Sequence, residues 1–147
     1  MKRRKIIAVT GARSEYDLLY SVYSGLNKDQ KIDFNLIITG PHLSDSYGYT
    51  AKQIQEDNFN ICGYAFNLID SNQKIGRVLS IGNQISSIAN ILYHEKPDIV
   101  IVAGDREESI SVTMTCAFMD IPVAHFFGGD IAKDGNIDNS VRYAASK

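Results

Sequence analysis

The chain has 147 residues, enough for one domain with a core of its own. Hydrophobic residues make up 44% and charged residues 22%, and the formal net charge of -2 argues against a nucleic-acid-binding surface. No apolar run is long enough to span a bilayer, and residues 6–9 are too short for the apolar core of a signal peptide. A cytoplasmic protein with neither membrane nor nucleic-acid partners is therefore expected.

Residues 5–10 read as a short apolar strand closed by Thr10-Gly11. Ser14 is the expected N-cap of the next helix, with Asp17 three residues on as a short capping-box acid. Leu18, Leu19, Val22, Tyr23 and Leu26 recur at helical spacing, and Tyr16, Tyr20 and Tyr23 share it as packing residues. Residues 33–39 form a second strand, closed by Gly40-Pro41. Residues 42–49 are a polar, aromatic loop, and Thr50 caps a short helix reaching Asp57. A third strand is expected over 61–68.

The spacing predicts a long helix over 75–94, with Ile75, Val78, Leu79, Ile85, Ile88, Ala89 and Leu92 as its apolar stripe. Gly76 and Gly82 weaken it and suggest close backbone approaches. Pro97 ends it, and His94 suits its last turn. Residues 98–103 are a central buried strand, 107–119 a helix, and 122–127 a further strand ending in Gly128-Gly129-Asp130. Asp138 is the expected cap of a last helix that runs to Lys147. Cys62 and Cys116 lie in separate elements and read as buried structural thiols, and the three histidines are too scattered for a metal site. No metal or cofactor is expected. Strands alternating with helices indicate an α/β fold, a Rossmann-like parallel sheet with helices on both faces.

Four glycine-bearing turns each follow a predicted strand, and a parallel sheet would place all four on one edge, where open α/β sheets bind ligands. That edge would gather Arg13, Glu15, His42, Ser44, Asp105, Arg106, Glu107, Glu108, His125 and Asp130. Arg13, just before a helix N-terminus, suits an oxyanion or phosphate, although it can equally pair with Glu15 or Asp17. Asp105 follows the buried strand directly and is a candidate general acid or base, or else a turn residue. Glu107 and Glu108 read as first-turn acids favoured by the helix dipole. His125 reads as a hydrogen-bonded strand residue. Gly11-Ala12-Arg13 lacks the remaining glycines of a dinucleotide fingerprint, and no P-loop is present.

The ordered motifs resemble the hydrolysing UDP-N-acetylglucosamine 2-epimerase family. They are Gly11-Ala12-Arg13-Ser14-Glu15-Tyr16-Asp17, Thr39-Gly40-Pro41-His42-Leu43-Ser44, Gly104-Asp105-Arg106-Glu107-Glu108, Ala124-His125-Phe126-Phe127-Gly128-Gly129-Asp130 and Gly135-Asn136-Ile137-Asp138-Asn139-Ser140-Val141-Arg142. The resemblance implies a GT-B type enzyme of two Rossmann-like halves. Residues 1–147 would be the amino-terminal half, with the last helix cut at Lys147 and the other half supplying most of the nucleotide site. Full length, it would be a homo-oligomer. It implies elimination of UDP from C1 as the C2 proton leaves, then addition of water with inversion at C2, on the way to sialic or other nonulosonic acids.

By motif position, the resemblance assigns proton transfer and water activation to Asp105, Asp130 and Asp138. It assigns binding of the UDP-2-acetamido sugar to Arg13, His42, Arg106, His125 and Arg142. Two departures stand out. Tyr143 replaces a histidine usual in the family, and Asn139 replaces an acid, which leaves room for a different sugar, such as a diacetamido-trideoxy hexose.

Overall fold

The protein is described by a computed structural model over residues 2–133 and 135–147. Strands β1 (Arg4–Thr10), β2 (Ile32–Thr39), β3 (Ile61–Ala65), β4 (Ile99–Ala103) and β5 (Val123–Phe126) alternate with helices α1 (Arg13–Lys28), α2 (Ala51–Glu56), α3 (Lys74–Glu95), α4 (Glu107–Phe118) and α5 (Asp138–Ser146). The strands form one sheet in the order β3-β2-β1-β4-β5, with every pair parallel. This is the Rossmann-like architecture expected from the alternating pattern.

The strands are apolar on both faces because helices cover both. Ala8, Leu36, Ile38, Ile101 and Ala103 pack with Tyr16, Leu19 and Tyr23 of α1 and Ile54 of α2. Their neighbours Ile7, Val9, Ile37, Val100 and Val102 point the other way, onto Ile88 and Leu92 of α3 and Val112 and Cys116 of α4. Each fully buried aliphatic side chain contributes ~1.5–3 kcal/mol of transfer free energy, so the two clusters are the main stabilising term. An aromatic group of Tyr16, Tyr20, Tyr23, Phe34 and Phe59 extends the first cluster, with edge-on and tilted rings.

Several local expectations are corrected. Helix α1 begins one residue before Ser14, with Ala12 at the N-cap and no side-chain cap. Ser14 is already helical, and Asp17 pairs with Arg13 at 3.4 Å rather than closing a capping box. Thr50 does occupy the N-cap of α2, but its hydroxyl is taken by His42. Asp138 is the first residue of α5 and Ile137 its cap, so its carboxylate complements the helix dipole instead. Strand β3 stops at Ala65, where its pairing with β2 ends at Thr39. Cys116 is buried, but Cys62 is only half-buried.

The apolar stripe expected on α3 is wrong in its first half. Ile75 and Val78 are 60% and 66% exposed, and the buried face is instead Gly76, Ser80, Gln84, Ile88 and Leu92. Ser80 receives the Ile69 amide at 2.8 Å and donates to the Gly76 carbonyl. Gln84 donates to Thr39 at 3.2 Å and accepts from Ser111 at 2.7 Å. These buried polar groups are satisfied, which lets them displace apolar ones. Gly76 does mark a close approach, since a Cβ there would lie 3.0 Å from Cβ of Ser71, whereas nothing approaches Gly82.

Candidate active site

Strand order reverses between β1 and β4, the topological switch point of the sheet. Helix α1 leaves β1 toward one face, and α4 leaves β4 toward the other. A cleft of about 740 Å³ opens between them at the carboxyl ends of the strands. Its walls are the start of α1 with Glu15 and Leu18, the turn from Gly104 to Glu108, the segment 67–71 with Arg77, Phe127, and residues 136–138.

At the floor lies Glu108, only 5% exposed. Its side chain rests on two strand-end glycines. A Cβ on Gly11 would lie 2.5 Å from Cγ of Glu108, and one on Gly40 (φ +58°) would meet its Oε1. Oε2 accepts a hydrogen bond from Nε of Arg106 at 3.3 Å. Burial pushes the Glu108 carboxyl up, against the pull of Arg106. Glu15 is pushed up to about 8, first by burial and then by Glu108, with Arg106 and the Gly11 amide opposing. Neutral Glu15 and charged Arg106 are thus the stable forms near neutral pH. Glu108 exceeds the first-turn role read from the sequence. The available signal was a pair of strand-end glycines, which do not name the side chain they accommodate.

On the opposite wall, Arg142 reaches from α5 to Asp105. One amino group pairs with Oδ2 of Asp105, and the other donates to the Asp130 carbonyl at 2.6 Å and to Asn139 Oδ1 at 3.3 Å. Arg142 is 8% exposed, and its Nε has no hydrogen-bond partner among the described residues. Asp105 and Asp138 both line the cleft. Asp130 is not among the lining residues; its backbone, not its carboxylate, holds Arg142. Arg77, which the sequence analysis did not single out, pairs with Glu107 at the α3 side of the cleft, and Glu107 is held below the usual range by that guanidinium and its own amide, against burial.

The remaining candidates lie elsewhere. His42 is 1% exposed, with Nε2 3.0 Å from the Thr10 hydroxyl and Nδ1 2.6 Å from the Thr50 hydroxyl. Burial pushes its pKa down to about 4, so it is a neutral, fully bonded residue behind the strand ends, outside the cleft lining. His125 likewise spends both ring nitrogens, on the Gly104 carbonyl at 2.6 Å and the Ser146 hydroxyl at 2.8 Å. Because a carbonyl only accepts, Nε2 donates to Gly104. Arg13 is well exposed and paired with Asp17, the surface alternative weighed from the sequence. Tyr143 is exposed, with Lys147 5.3 Å over its ring, and Asn139 clasps the backbone of Ala132 at both N–H and C=O. Among the described residues, no three His, Cys, Asp or Glu side chains are grouped to hold a metal ion, and no helix is long and apolar enough to cross a membrane.

Comparison with known proteins fits this geometry. The family model for UDP-N-acetylglucosamine 2-epimerase matches residues 24–147. The chain is 35% identical over 144 residues to a protein of Legionella pneumophila named UDP-N,N'-diacetylbacillosamine 2-epimerase (hydrolyzing), covering 98% of this chain and 38% of that one. It is 35% identical over 147 residues to the Campylobacter jejuni GDP/UDP-N,N'-diacetylbacillosamine 2-epimerase (hydrolyzing), covering 100% and 38%. A crystal structure of the Neisseria meningitidis UDP-GlcNAc 2-epimerase bound to UDP-GlcNAc superposes with a TM-score of 0.79 at 23% identity, over 97% of this chain and 38% of that one. The chain thus spans about 38% of the length of these relatives and has the fold of one GT-B half-domain. It belongs to the UDP-N-acetylglucosamine 2-epimerase family.

Proposed function

We propose that this chain forms one wall of the active cleft of a hydrolysing 2-epimerase acting on a UDP-2-acetamido sugar. The observation that carries the reading is the convergence of Asp105, Asp138 and Arg106 on one cleft at the switch point of the sheet. In the reaction, a carboxylate takes the C2 proton while the C1–O bond breaks and UDP leaves, giving a glycal. Water then adds across the double bond, the hydroxyl to C1 and a proton to C2 from the opposite face, releasing the 2-epimerised free sugar. Asp105 and Asp138 are the candidates for these proton transfers, with Asp130 as a third acid contributed by the following loop. Arg106 neutralises charge building on the departing diphosphate. Arg142 pairs with Asp105 and fixes its carboxylate in place. His42 and His125 support the strand ends and the turn at Gly104 rather than touching the sugar.

The relatives at 35% identity are named for a diacetamido sugar, and those at 29–31% include a UDP-N-acetylglucosamine enzyme. This favours a UDP-2,4-diacetamido-trideoxy hexose as substrate. The full-length, cytoplasmic, homo-oligomeric enzyme is expected to release UDP and the inverted free sugar, read by coupled UDP detection and NMR of the product. The 147-residue chain alone is expected to give no turnover. Absence of free sugar from full-length enzyme with both UDP-N-acetylglucosamine and its diacetamido analogue would refute the reading. Product formed only with an added acceptor would make the protein a glycosyltransferase. Tight, ligand-independent self-association without nucleotide-sugar binding would make it an interaction module.

A further inference from the structure

A carboxylate in the first turn of a helix gains its dipole interaction while remaining in water. Glu108 does not remain there. It is 5% exposed and lies over Gly11 after β1 and Gly40 after β2, where any larger residue would collide with it. Burying a carboxylate costs several kcal/mol unless it is paired, and its partner here is Arg106. The pairing is made through Nε of Arg106, and among the described residues this is the only hydrogen bond of that side chain. Both terminal amino groups of the guanidinium are left over, on a side chain that lines the cleft. A guanidinium fixed at Nε and open at its two amino groups is a preorganised fork for a phosphate oxygen pair.

We propose that Glu108 is a positioning residue: seated in the Gly11–Gly40 cradle, it holds Arg106 so that its two free amino groups grip the diphosphate of the nucleotide sugar. The identity of the ligand rests on the function proposed above, whereas the cradle and the fork do not. The charges around Arg106 make such anchoring necessary. Glu15 faces it from α1, and Glu107 and Glu108 from α4. A mobile arginine would collapse onto whichever carboxylate was nearest and present no fork to the ligand. Glu15 adds a consequence. It gives up its proton near pH 8, with Glu108 among the causes, and a new negative charge beside Arg106 then opposes an anion.

The test uses the full-length protein and UDP as the probe in titration calorimetry, with melting temperature measured in parallel. Glu108→Gln removes the charge and keeps the size. Gly11→Ala keeps the charge and displaces the side chain. Both are expected to weaken UDP binding at least tenfold while the variants remain folded, and to raise KM for the UDP-sugar more than they lower kcat. In wild type, UDP binding should weaken as pH passes about 8. In Glu108→Gln that limb should move to lower pH, because a like charge has been removed from Glu15. Unchanged UDP affinity in a folded Glu108→Gln protein, or a lowered melting temperature with affinity intact, overturns the proposal, as does failure of the wild-type protein to bind UDP. Binding of UDP without turnover would count against the epimerase reading alone and leave the comparison of variants in force.

Discussion

Arg142 and Asp105 are 37 residues apart in sequence and paired in space, so the last helix is fastened to the end of the central strand by a charge placed beside the cleft. The pair is largely sequestered from water, and removing one member leaves the other unbalanced. Arg142→Met is expected to destabilise the protein by about 3 kcal/mol in urea titration. In the full-length enzyme it should lower kcat at least tenfold. Arg142→Lys should recover little of either, because an ammonium cannot reach Asp105, the Asp130 carbonyl and Asn139 at the same time. Wild-type stability in Arg142→Met would show the pair to be incidental.

Glu15 ties stability to alkaline pH. Its folded-state pKa of about 8 lies above the unfolded value of 4.5, so the neutral carboxyl stabilises the fold below pH 4.5, and that contribution is lost as pH rises toward 8. Glu15→Gln is never charged. Relative to wild type, it should be nearly neutral at pH 5 and stabilising by more than about 1 kcal/mol at pH 9, read from denaturant midpoints. A difference that does not grow with pH would mean that Glu15 is solvated in the native state.

His42 acts in the acid range with the opposite sense. Its folded-state pKa of about 4 lies below the unfolded 6.5, so the unfolded chain takes up a proton first as pH falls. The stability it confers is present above pH 6.5 and is lost between 6.5 and 4. Replacing it by Asn should lower stability at pH 7 and flatten the dependence between those limits. An unchanged slope in the Asn variant would place the acid sensitivity elsewhere.

Gln84 joins three elements, since it bonds Thr39 at the end of β2 and Ser111 of α4 from its own position on α3. Thr39 in turn meets Asn67, which also accepts the Gly40 amide at 2.9 Å. Gln84→Leu keeps most of the volume but removes the bonds to Thr39 and Ser111, whose hydroxyls retain the Ala65 and Glu107 carbonyls, at an expected cost of about 1 kcal/mol in urea unfolding. A neutral result would mean that the two bonds of Gln84 add nothing net to stability.

The sheet was legible because its strands are short apolar runs ended by glycine, and a parallel arrangement follows from the helices between them. The edge carrying Asp105 and Arg106 followed from the same alternation, whereas Asp138 came from the resemblance alone. What escaped depended on partners distant in sequence. Ser80 and Gln84 look like surface residues until Ile69, Thr39 and Ser111 are brought to them, and for that reason Ile75, Val78 and Leu79 were assigned to the core they do not enter. Glu108 looked like a helix-start acid because nothing local reveals that Gly11 and Gly40 leave a space of its shape. His42 looked available to a ligand because Thr10 is far from it along the chain and Thr50 was assigned to helix capping.

The cradle has one more effect. Gly11 extends β1, Gly40 extends β2, and Glu108 lies in the first turn of the helix after β4, so a single carboxylate is seated where three separate chain segments meet. Were β1 to slide by one residue along β2, from Thr10 opposite Ile38 to its neighbour, Gly11 and Gly40 would no longer share one seat. Strand alignment and cleft electrostatics are therefore a single degree of freedom: a misregistered sheet would be stranded with an unhoused negative charge.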